Sequence, residues 1–307
     1  MIAPWSLVTF VDAADDTGVA AQLPDGRVIA VDHLAGLTGV LDVVREWDRF
    51  APILRSWQPE SGPELEYHHL VAPLRFPNKV LCAGANYRAH LAEMGVEPDP
   101  AADAFFFFKP PTTTIIGPGE TIIVRTADDK PDWEAEVAVV IGRAGRAISA
   151  DVALEHVAGY TLVNDVSARG PHRVAHPLGP PFAWDWVASK AQDTFLPLGP
   201  GVTPTWLVDD PDNIPLALSV NGVTKQASST SDLLFGIADL ISAASKWTTL
   251  EPGDVIATGT PAGVGLPRGE FLTDGDVVEV TSPILGVLAN PVRVLAGSDA
   301  PDAKAPA

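Results

Sequence analysis

The sequence has almost no cysteine and no long hydrophobic run. A single cysteine, Cys82, excludes an internal disulfide and a cysteine-rich zinc site. No stretch reaches the roughly 18 uncharged apolar residues that a membrane-spanning helix requires. The first residues lack the basic segment of a secretory signal peptide and soon become acidic. These absences lead us to expect a protein of the reducing cytoplasm, with no membrane segment.

Positive charge is also scarce. The chain has 20 Lys and Arg against 39 Asp and Glu, which gives a formal net charge of −19. This charge repels phosphate backbones and anionic lipids, so we expect neither nucleic acid nor a membrane as a partner. It would also repel an acidic substrate. If the substrate is an acid, its binding site must therefore contain cationic side chains of its own.

The length of the chain and the change in composition along it predict a small N-terminal domain followed by a larger one. The 307 residues are 46% hydrophobic, which is typical of a globular protein. Residues 1–73 form the predicted small domain, with strands near 6–11 and 27–31 around a turn at Pro24-Asp25-Gly26. A helix is expected near 39–50, before a proline-rich connector.

Residues 74–297 form the predicted catalytic domain, and the Ala/Pro-rich segment 298–307 is predicted to be a disordered tail. Apolar runs broken by Gly and Pro indicate a β-rich fold. One amphipathic helix is predicted over 231–247, with Thr230 or Ser231 as its N-cap. The clearest predicted strands are 80–84, 104–109, 135–141, 159–164, 216–220, 254–258 and 276–280.

Two glutamates stand at the start of a predicted strand. Side chains alternate between the faces of a strand, so Glu134 and Glu136 point the same way, and the next residues on that face are the apolar Ala138 and Val140. Burying two neighbouring carboxylates is costly unless a cation lies between them. The alternative is a strand that enters the protein from solvent, with both carboxylates hydrated.

A third acid, Asp165, ends another predicted strand. Strand ends often present ligand-binding side chains, although Asn164-Asp165 could also be a simple turn. Three carboxylates with no nearby His or Cys suit a hard cation, namely Mg²⁺, Mn²⁺ or Ca²⁺, with coordination positions left for water and substrate. The residues alone leave both interpretations open.

Several blocks of the sequence resemble the fumarylacetoacetate hydrolase superfamily, and they occur in the expected order. The resemblance implies an α+β, β-rich fold with a mixed β-roll core, a few short helices, a small N-terminal domain and a homodimer. It also implies that Glu134, Glu136 and Asp165 bind Mg²⁺ or Mn²⁺. The blocks are KVLCAGANYRAHLAEMG (79–95), FFFFKPPTTTIIGPGE (105–120), DWEAEVAVVIGRAGRAIS (132–149), GYTLVNDVSAR (159–169), SKAQDTFLPLGPGV (189–202), LSVNGVTKQASST (218–230) and LEPGDVIATGTPAGVG (250–265).

Two groups of residues match catalytic positions of the family. His90 and Glu93 are three residues apart, so on a short helix they share a face and can hydrogen-bond. A carboxylate beside an imidazole suits a general base that activates water, although such a pair could also lie on a solvated face. By resemblance, Lys190 stabilises a developing enolate and Lys109 supports the site or contacts substrate. By pattern alone, each lysine would be a surface charge.

Three further positions are expected to contact the substrate. Thr260 lies in a Gly/Pro loop that could bind a substrate carboxylate or could simply be a turn. Arg169 matches the family pattern Ser-Ala-Arg-Asp, which commonly continues to a Gln. Here Gly170 replaces that Asp and His172 stands at the Gln position. His172 is either a substrate contact, an extra acid or base, or a surface histidine.

The resemblance and the His90–Glu93 pair together favour a metal-dependent hydrolase that cleaves a C–C bond in a 2,4-dioxo acid of the acylpyruvate or fumarylpyruvate type. In that reaction, the enolate of a 2-oxo acid leaves, stabilised by the metal and Lys190. One alternative is a decarboxylase, hydratase or isomerase that acts on a 2-oxo acid such as oxaloacetate or an intermediate of aromatic catabolism. A different class is a relative that binds a metabolite without catalysis.

Overall fold

Strands dominate the part of the chain described by the computed structural model, residues 4–59 and 62–295. The predicted tail, 298–307, and the last residues of the predicted catalytic domain lie outside the described residues. The helices are few and short, in agreement with the predicted α+β, β-rich fold. None of the helices in the described ranges is long and apolar enough to cross a membrane.

The bounds of the regular elements are as follows. The strands are β1 Ser6–Val11, β2 Thr17–Gln22, β3 Val28–Ala30, β4 His69–Val71, β5 Val80–Ala83, β6 Phe106–Phe108, β7 Ile115–Ile116, β8 Ile122–Val124, β9 Pro131–Asp132, β10 Ala135–Ile141, β11 Val157–Asn164, β12 Ser167–Ala168, β13 Leu196–Pro204, β14 Pro215–Val220, β15 Val223–Ser229, β16 Val255–Ala257, β17 Val277–Ser282 and β18 Gly286–Val294. The α-helices are α1 Val40–Arg45, α2 Trp47–Ser56, α3 Arg88–Glu93, α4 Pro111–Thr114, α5 Arg169–His172, α6 Trp186–Lys190 and α7 Ile237–Trp247.

The largest sheet has the strand order β3-β2-β1-β13-β11-β10-β16-β5-β6, with β4 beside β1 and β7 beside β13. The N-terminal strand β1 pairs antiparallel with β13, and Leu7 lies opposite Val202. One apolar cluster contains Leu7 and Trp47 together with Val80 and Ala138. Residues on both sides of the expected domain boundary at residue 73 therefore share one sheet and one core.

A second sheet, β15-β14-β17-β18-β8, covers the other face of β10 and β11. Val137 and Val139 of β10 pack in one apolar cluster with residues of this second sheet, whereas Ala138 and Val140 belong to the cluster on the opposite face. Every residue of β10 is buried as a result. Burial on both faces explains why this strand is a nearly continuous apolar run after Glu136.

Two predicted elements are wrong in detail. The turn at residues 24–26 joins β2 to β3, and β2 was not among the predicted strands. The long helix begins at Ile237, with Gly236 as its N-cap, and not near Ser231. Residues 230–232 instead form a separate 3₁₀ turn, whose start is capped by Ser229 Oγ accepting the Ser231 N–H. The backbone is extended at Leu233, and the Leu234 N–H donates to the Asn86 carbonyl oxygen and not to the preceding turn. Asp239 caps the Gly236 N–H at the true start.

Candidate active site

Three acidic side chains meet where β10 and β11 lie side by side. Glu134 immediately precedes β10, Glu136 is its second residue, and Asp165 directly follows β11. The Asp165 N–H donates to the Glu134 carbonyl oxygen at 2.8 Å, and the Glu134 N–H donates to Asn164 Oδ1 at 3.0 Å. These bonds extend the pairing of the two strands by one residue. Local strand pairing therefore brings the three acids together.

The three carboxylates are buried. Glu134 is 7% exposed, and Glu136 and Asp165 are each 1% exposed, which excludes the alternative of a hydrated strand end. One oxygen from each residue lies within 4.8 Å of the others, so the group could hold a metal ion. Burial raises the pKa of Glu136 well above its usual value, and the nearby Asp165 and Glu134 charges raise it further.

Two buried lysines contact this carboxylate group. Lys190 Nζ donates to Glu134 Oε2 and to Asp165 Oδ2, both at 2.8 Å. Lys109 Nζ pairs with Asp165 Oδ1 and also donates to the carbonyl oxygens of Val166 and Phe195. The three acceptors use all three N–H groups of Lys109, so this lysine supports Asp165. Lys190 has one N–H left for a ligand.

Arg169 joins the carboxylate group to a fourth acid, Asp132. Arg169 Nε donates to Asp132 Oδ2 at 2.9 Å, and its Nη2 donates to Glu134 Oε1 at 2.6 Å. Burial raises the pKa of Glu134, but the charges of Lys190 and Arg169 outweigh this effect and bring the pKa below its usual value. Glu134 is therefore ionised at neutral pH.

The donor set fits a divalent cation. Glu136 accepts the Gly259 N–H at 2.7 Å, but no Lys, Arg or His among the described residues forms an ion pair with it. A buried carboxylate that repels two others and lacks a cationic partner is the position where an added cation lowers the energy most. The all-oxygen ligands favour Mg²⁺, Mn²⁺ or Ca²⁺ over softer ions.

His90 and Glu93 form the expected pair on α3. His90 Nδ1 lies 3.0 Å from Glu93 Oε2, and the second Glu93 oxygen accepts the Gly263 N–H at 3.0 Å. Glu93 therefore holds the imidazole from one side and the loop at residues 259–265 from the other. His90 is 7% exposed, and the loop that Glu93 binds also donates its Gly259 N–H to Glu136. This arrangement leaves Nε2 of His90 for proton transfer.

Thr260 supports the strand that carries the glutamates. Its hydroxyl donates to the Ala135 carbonyl oxygen at 3.0 Å and accepts from Gln226 Nε2 at 2.9 Å. Gln226 Oε1 in turn accepts the Ala135 N–H at 2.9 Å. Contact between Thr260 and a substrate stays a prediction, but these bonds already give the side chain a role in holding the loop against β10.

The departures from the family pattern after Arg169 have distinct surroundings. A Cβ at Gly170 would collide with the Asp128 carbonyl oxygen, which explains why no larger residue stands there. His172 lies between two tryptophans, with ring centroids 5.0 Å from Trp184 and 4.8 Å from Trp186. Its Nε2 is buried and has no hydrogen-bond partner.

Sequence reasoning missed Asp132 and Gln226. Asp132 is fully buried and accepts N–H bonds from Gly265 at 2.6 Å and from Leu266 at 3.0 Å, as well as from Arg169. The one signal in the sequence was an acid immediately before Trp133 and Glu134, and it follows the charged run Asp128-Asp129-Lys130, where an acid is expected at the surface. Gln226 sits in β15 and carried no signal, because its partners lie far away in the chain.

The family model of the fumarylacetoacetate hydrolase C-terminal domain matches residues 79–293. The chain belongs to this family. That span includes all the predicted site residues. Family enzymes use divalent metals, which agrees with the acidic group.

Curated relatives of this family member include oxaloacetate tautomerases. The chain is 36% identical to oxaloacetate tautomerase YisK of Bacillus subtilis over 294 residues, covering 91% of this chain and 93% of the relative. It is 40% identical to the mitochondrial oxaloacetate tautomerase fahd2 of Xenopus laevis over 225 residues, covering 73% and 68% of the two chains.

Solved structures of family members show the same fold. A fumarylacetoacetate hydrolase from Exiguobacterium antarcticum superposes with a TM-score of 0.77 at 31% identity, covering 95% of this chain and 100% of that one. A probable 2-hydroxyhepta-2,4-diene-1,7-dioate isomerase from Mycobacterium abscessus gives 0.76 at 29% identity, covering 95% and 99%. The relatives' names favour the alternative function on an oxaloacetate-type 2-oxo acid over the C–C bond hydrolase.

Proposed function

We propose that this protein is a divalent-metal-dependent keto–enol tautomerase that acts on a 2-oxo diacid of the oxaloacetate type. The observation that carries the proposal is the identity to YisK, an oxaloacetate tautomerase, across more than nine-tenths of both chains. The site geometry supports it, because the cationic donor Lys190 contacts the carboxylate group, and the loop that binds Glu93, the partner of His90, also binds Glu136.

The reaction needs two proton movements and no co-reactant. In the enol-to-keto direction, the enol oxygen loses its proton, the C2–C3 π pair takes a proton at C3, and the C2–O bond becomes a carbonyl. An enolate lies between the two steps. The chain must therefore stabilise negative charge on the C2 oxygen and deliver a proton to the carbon.

The side chains divide this work. Lys190 places its remaining N–H beside the carboxylate group, where it can donate to the enolate oxygen. His90, held by Glu93, transfers the proton at C3. Mg²⁺ or Mn²⁺ would be held by Glu134, Glu136 and Asp165, and when bound it supplies Lewis acidity toward the substrate oxygens.

The decisive assay follows the decay of enol-oxaloacetate in the ultraviolet with purified protein and Mg²⁺, against the uncatalysed rate in the same buffer. Pyruvate is measured in parallel to detect decarboxylation. We expect Mg²⁺-dependent enol decay without pyruvate, abolished by Glu136→Gln. Enol decay at the uncatalysed rate would overturn the proposal.

A second candidate is the C–C bond hydrolase. It is favoured by the His90–Glu93 pair, which could activate water, and by similarity to a maleylpyruvate hydrolase from Sphingobium at 25% identity and a TM-score of 0.73. Release of pyruvate from an acylpyruvate at a higher kcat/KM than the enol decay would favour this candidate. Inactivity on every 2-oxo acid would favour a non-catalytic binding protein.

A further inference from the structure

The helix that carries the His90–Glu93 pair is short and has no cap from its own sequence. α3 has six residues, Arg88–Glu93, and an isolated helix of this length is not stable in water. Its N-cap residue, Tyr87, makes no side-chain hydrogen bond to the first turn, and that turn contains no acid. The position of His90 therefore depends on contacts between α3 and other parts of the chain.

The backbone that leads into α3 is bound by residues 232–235. Asn86 Oδ1 accepts the Phe235 N–H at 2.9 Å, and Asn86 Nδ2 donates to the carbonyl oxygens of Phe235 at 3.0 Å and of Thr258 at 2.9 Å. The Asn86 carbonyl oxygen accepts the Leu234 N–H at 2.7 Å. Asn86 is 1% exposed, so water competes weakly for these bonds. They fix the place where the chain enters α3.

Asp232 supplies the cap that α3 lacks. Its Oδ2 accepts the Ala89 N–H at 3.0 Å, and this N–H is one of the first-turn donors that a helix leaves unpaired. Arg88, beside Ala89, donates from Nη1 to the Leu233 carbonyl oxygen. A carboxylate at this place also interacts favourably with the positive end of the helix. The first turn of α3 is thus bound to a segment that lies far later in the chain.

The other end of α3 is held through Glu93. One Glu93 oxygen binds the imidazole of His90, and the other accepts the Gly263 N–H at 3.0 Å. Between the two ends, His90 is buried and directly follows Ala89. A shift of the first turn would therefore move the imidazole. The metal-binding carboxylates lie at the ends of β10 and β11 and would keep their places.

We infer that Asp232 is a positioning residue for the reaction, because it caps the first turn of the helix that carries His90. The inference rests on the proposed function, which assigns proton transfer to His90. The Asp232 carboxylate binds the backbone of α3, so its effect on the reaction passes through this helix. Loss of the cap should slow proton transfer and leave metal and substrate binding in place.

Two variants of Asp232 and one control separate this role from a general loss of stability. Asp232→Ala removes the acceptor, whereas Asp232→Asn keeps a side-chain oxygen that can accept the Ala89 N–H. Asp239→Ala is the matched control, because Asp239 Oδ2 accepts the Gly236 N–H at 3.2 Å at the start of the neighbouring helix α7. For each Mg²⁺-loaded protein, kcat and KM are measured with enol-oxaloacetate, and hydrogen–deuterium exchange is measured for residues 88–95.

Asp232→Ala should accelerate hydrogen exchange in residues 88–95 by about 2- to 30-fold, the worth of a lost helix cap. We expect kcat to fall by about 10-fold, because the catalytic group is displaced, and KM to change by less than about twofold. Asp232→Asn should recover most of both losses, and Asp239→Ala should alter neither quantity. In a His90→Asn background, Asp232→Ala should lower kcat no further.

Unchanged exchange or unchanged kcat in Asp232→Ala would overturn the inference. The same holds for an equal effect of Asp239→Ala, for no recovery in Asp232→Asn, and for a further loss of kcat in the His90→Asn background. Faster exchange in Asp232→Ala, together with a wild type that does not accelerate enol decay, would overturn the proposed function alone.

Discussion

At the scale of single residues, Lys190 has the sharpest role. It lies between Glu134 and Asp165 with 4% of its side chain exposed. Burial disfavours its charge, but Asp165 and Glu134 outweigh burial and raise the pKa of Lys190 above its usual value. A lysine that stays charged and keeps one N–H free is suited to stabilise an enolate and unsuited to act as a base.

Replacing Lys190 by Met should lower kcat for tautomerisation by about 100- to 1,000-fold, as for other donors to a developing oxyanion. Steady-state kinetics with saturating Mg²⁺ measures this, and circular dichroism checks the fold. Lys246→Met, which removes an exposed lysine from α7, is the control and should leave kcat unchanged. A Lys190→Met enzyme within threefold of wild type would contradict the role assigned to this ammonium.

The His90–Glu93 pair allows a second prediction. His90→Asn should reduce kcat by about 100- to 10,000-fold, the range of general acid–base catalysis. Glu93→Gln should cost less, and the double variant should be no worse than His90→Asn, because Glu93 acts through the imidazole. Glu97→Gln on the exposed segment after α3 is the control. Additive losses in the double variant would indicate two independent roles.

At the scale of elements, the site depends on loops pressed against β10. Gln226 of β15 bonds to the Ala135 N–H, to Thr260 Oγ1 and to the Pro261 carbonyl oxygen. This single buried amide joins the second sheet, the strand with the glutamates and the loop that contacts Glu93. Its contacts make it a positioning residue without any contact to the reacting atoms.

Gln226→Ala should therefore lower the free energy of unfolding by about 1–3 kcal/mol, since it leaves a buried N–H without a partner. Urea denaturation measures this change. We also expect a higher KM, because the loop at residues 259–265 loses a support. Thr224→Ala, at an exposed position of the same strand, should change neither quantity. An unchanged stability in Gln226→Ala would show that water replaces the amide at no cost.

Element-scale features were predictable where the signal is local. The bounds of β10 follow from a run that is apolar except for Glu136 and ends before Gly142, and the two-residue spacing put Glu134 and Glu136 on one face. Partners distant in sequence were not predictable. The local sequence predicts that Asp132, after Pro131, is a turn residue. Its function as a hydrogen-bond acceptor depends on Gly265, which is 133 residues later in the chain and folds beside it. The role of Gln226 was equally unpredictable, because the alternation of residues along β15 can predict that a side chain is buried but not which polar group it binds.

The division into domains at residue 73 stays a prediction, and the strand pairing across it was not predictable. The proline-rich segment before residue 74 marks a change in composition. No local sequence pattern predicts that β1 pairs with β13. Pairing between strands distant in the chain is set by the whole fold. The resemblance to the family supplied what local patterns could not, namely the convergence of Asp165 with the two glutamates.

At the scale of the whole molecule, the buried carboxylates couple metal binding to stability. Three acids in one buried place oppose folding, and an ion that binds only the folded chain offsets this cost. Mg²⁺ at 100 times its Kd should raise the free energy of unfolding by about 2.7 kcal/mol. Thermal denaturation with Mg²⁺ and with EDTA measures the difference. Glu136→Gln should largely remove it, and equal midpoints in wild type would contradict the coupling.

The measurement that tests the account most directly is calorimetric titration of Mn²⁺ and Mg²⁺ into wild type, Glu136→Gln and the exposed control Glu97→Gln. The account predicts one ion per chain for wild type and the control, and at least about tenfold weaker binding for Glu136→Gln. Equal affinity in all three proteins, or no binding by wild type at millimolar metal, would contradict a site built from Glu134, Glu136 and Asp165.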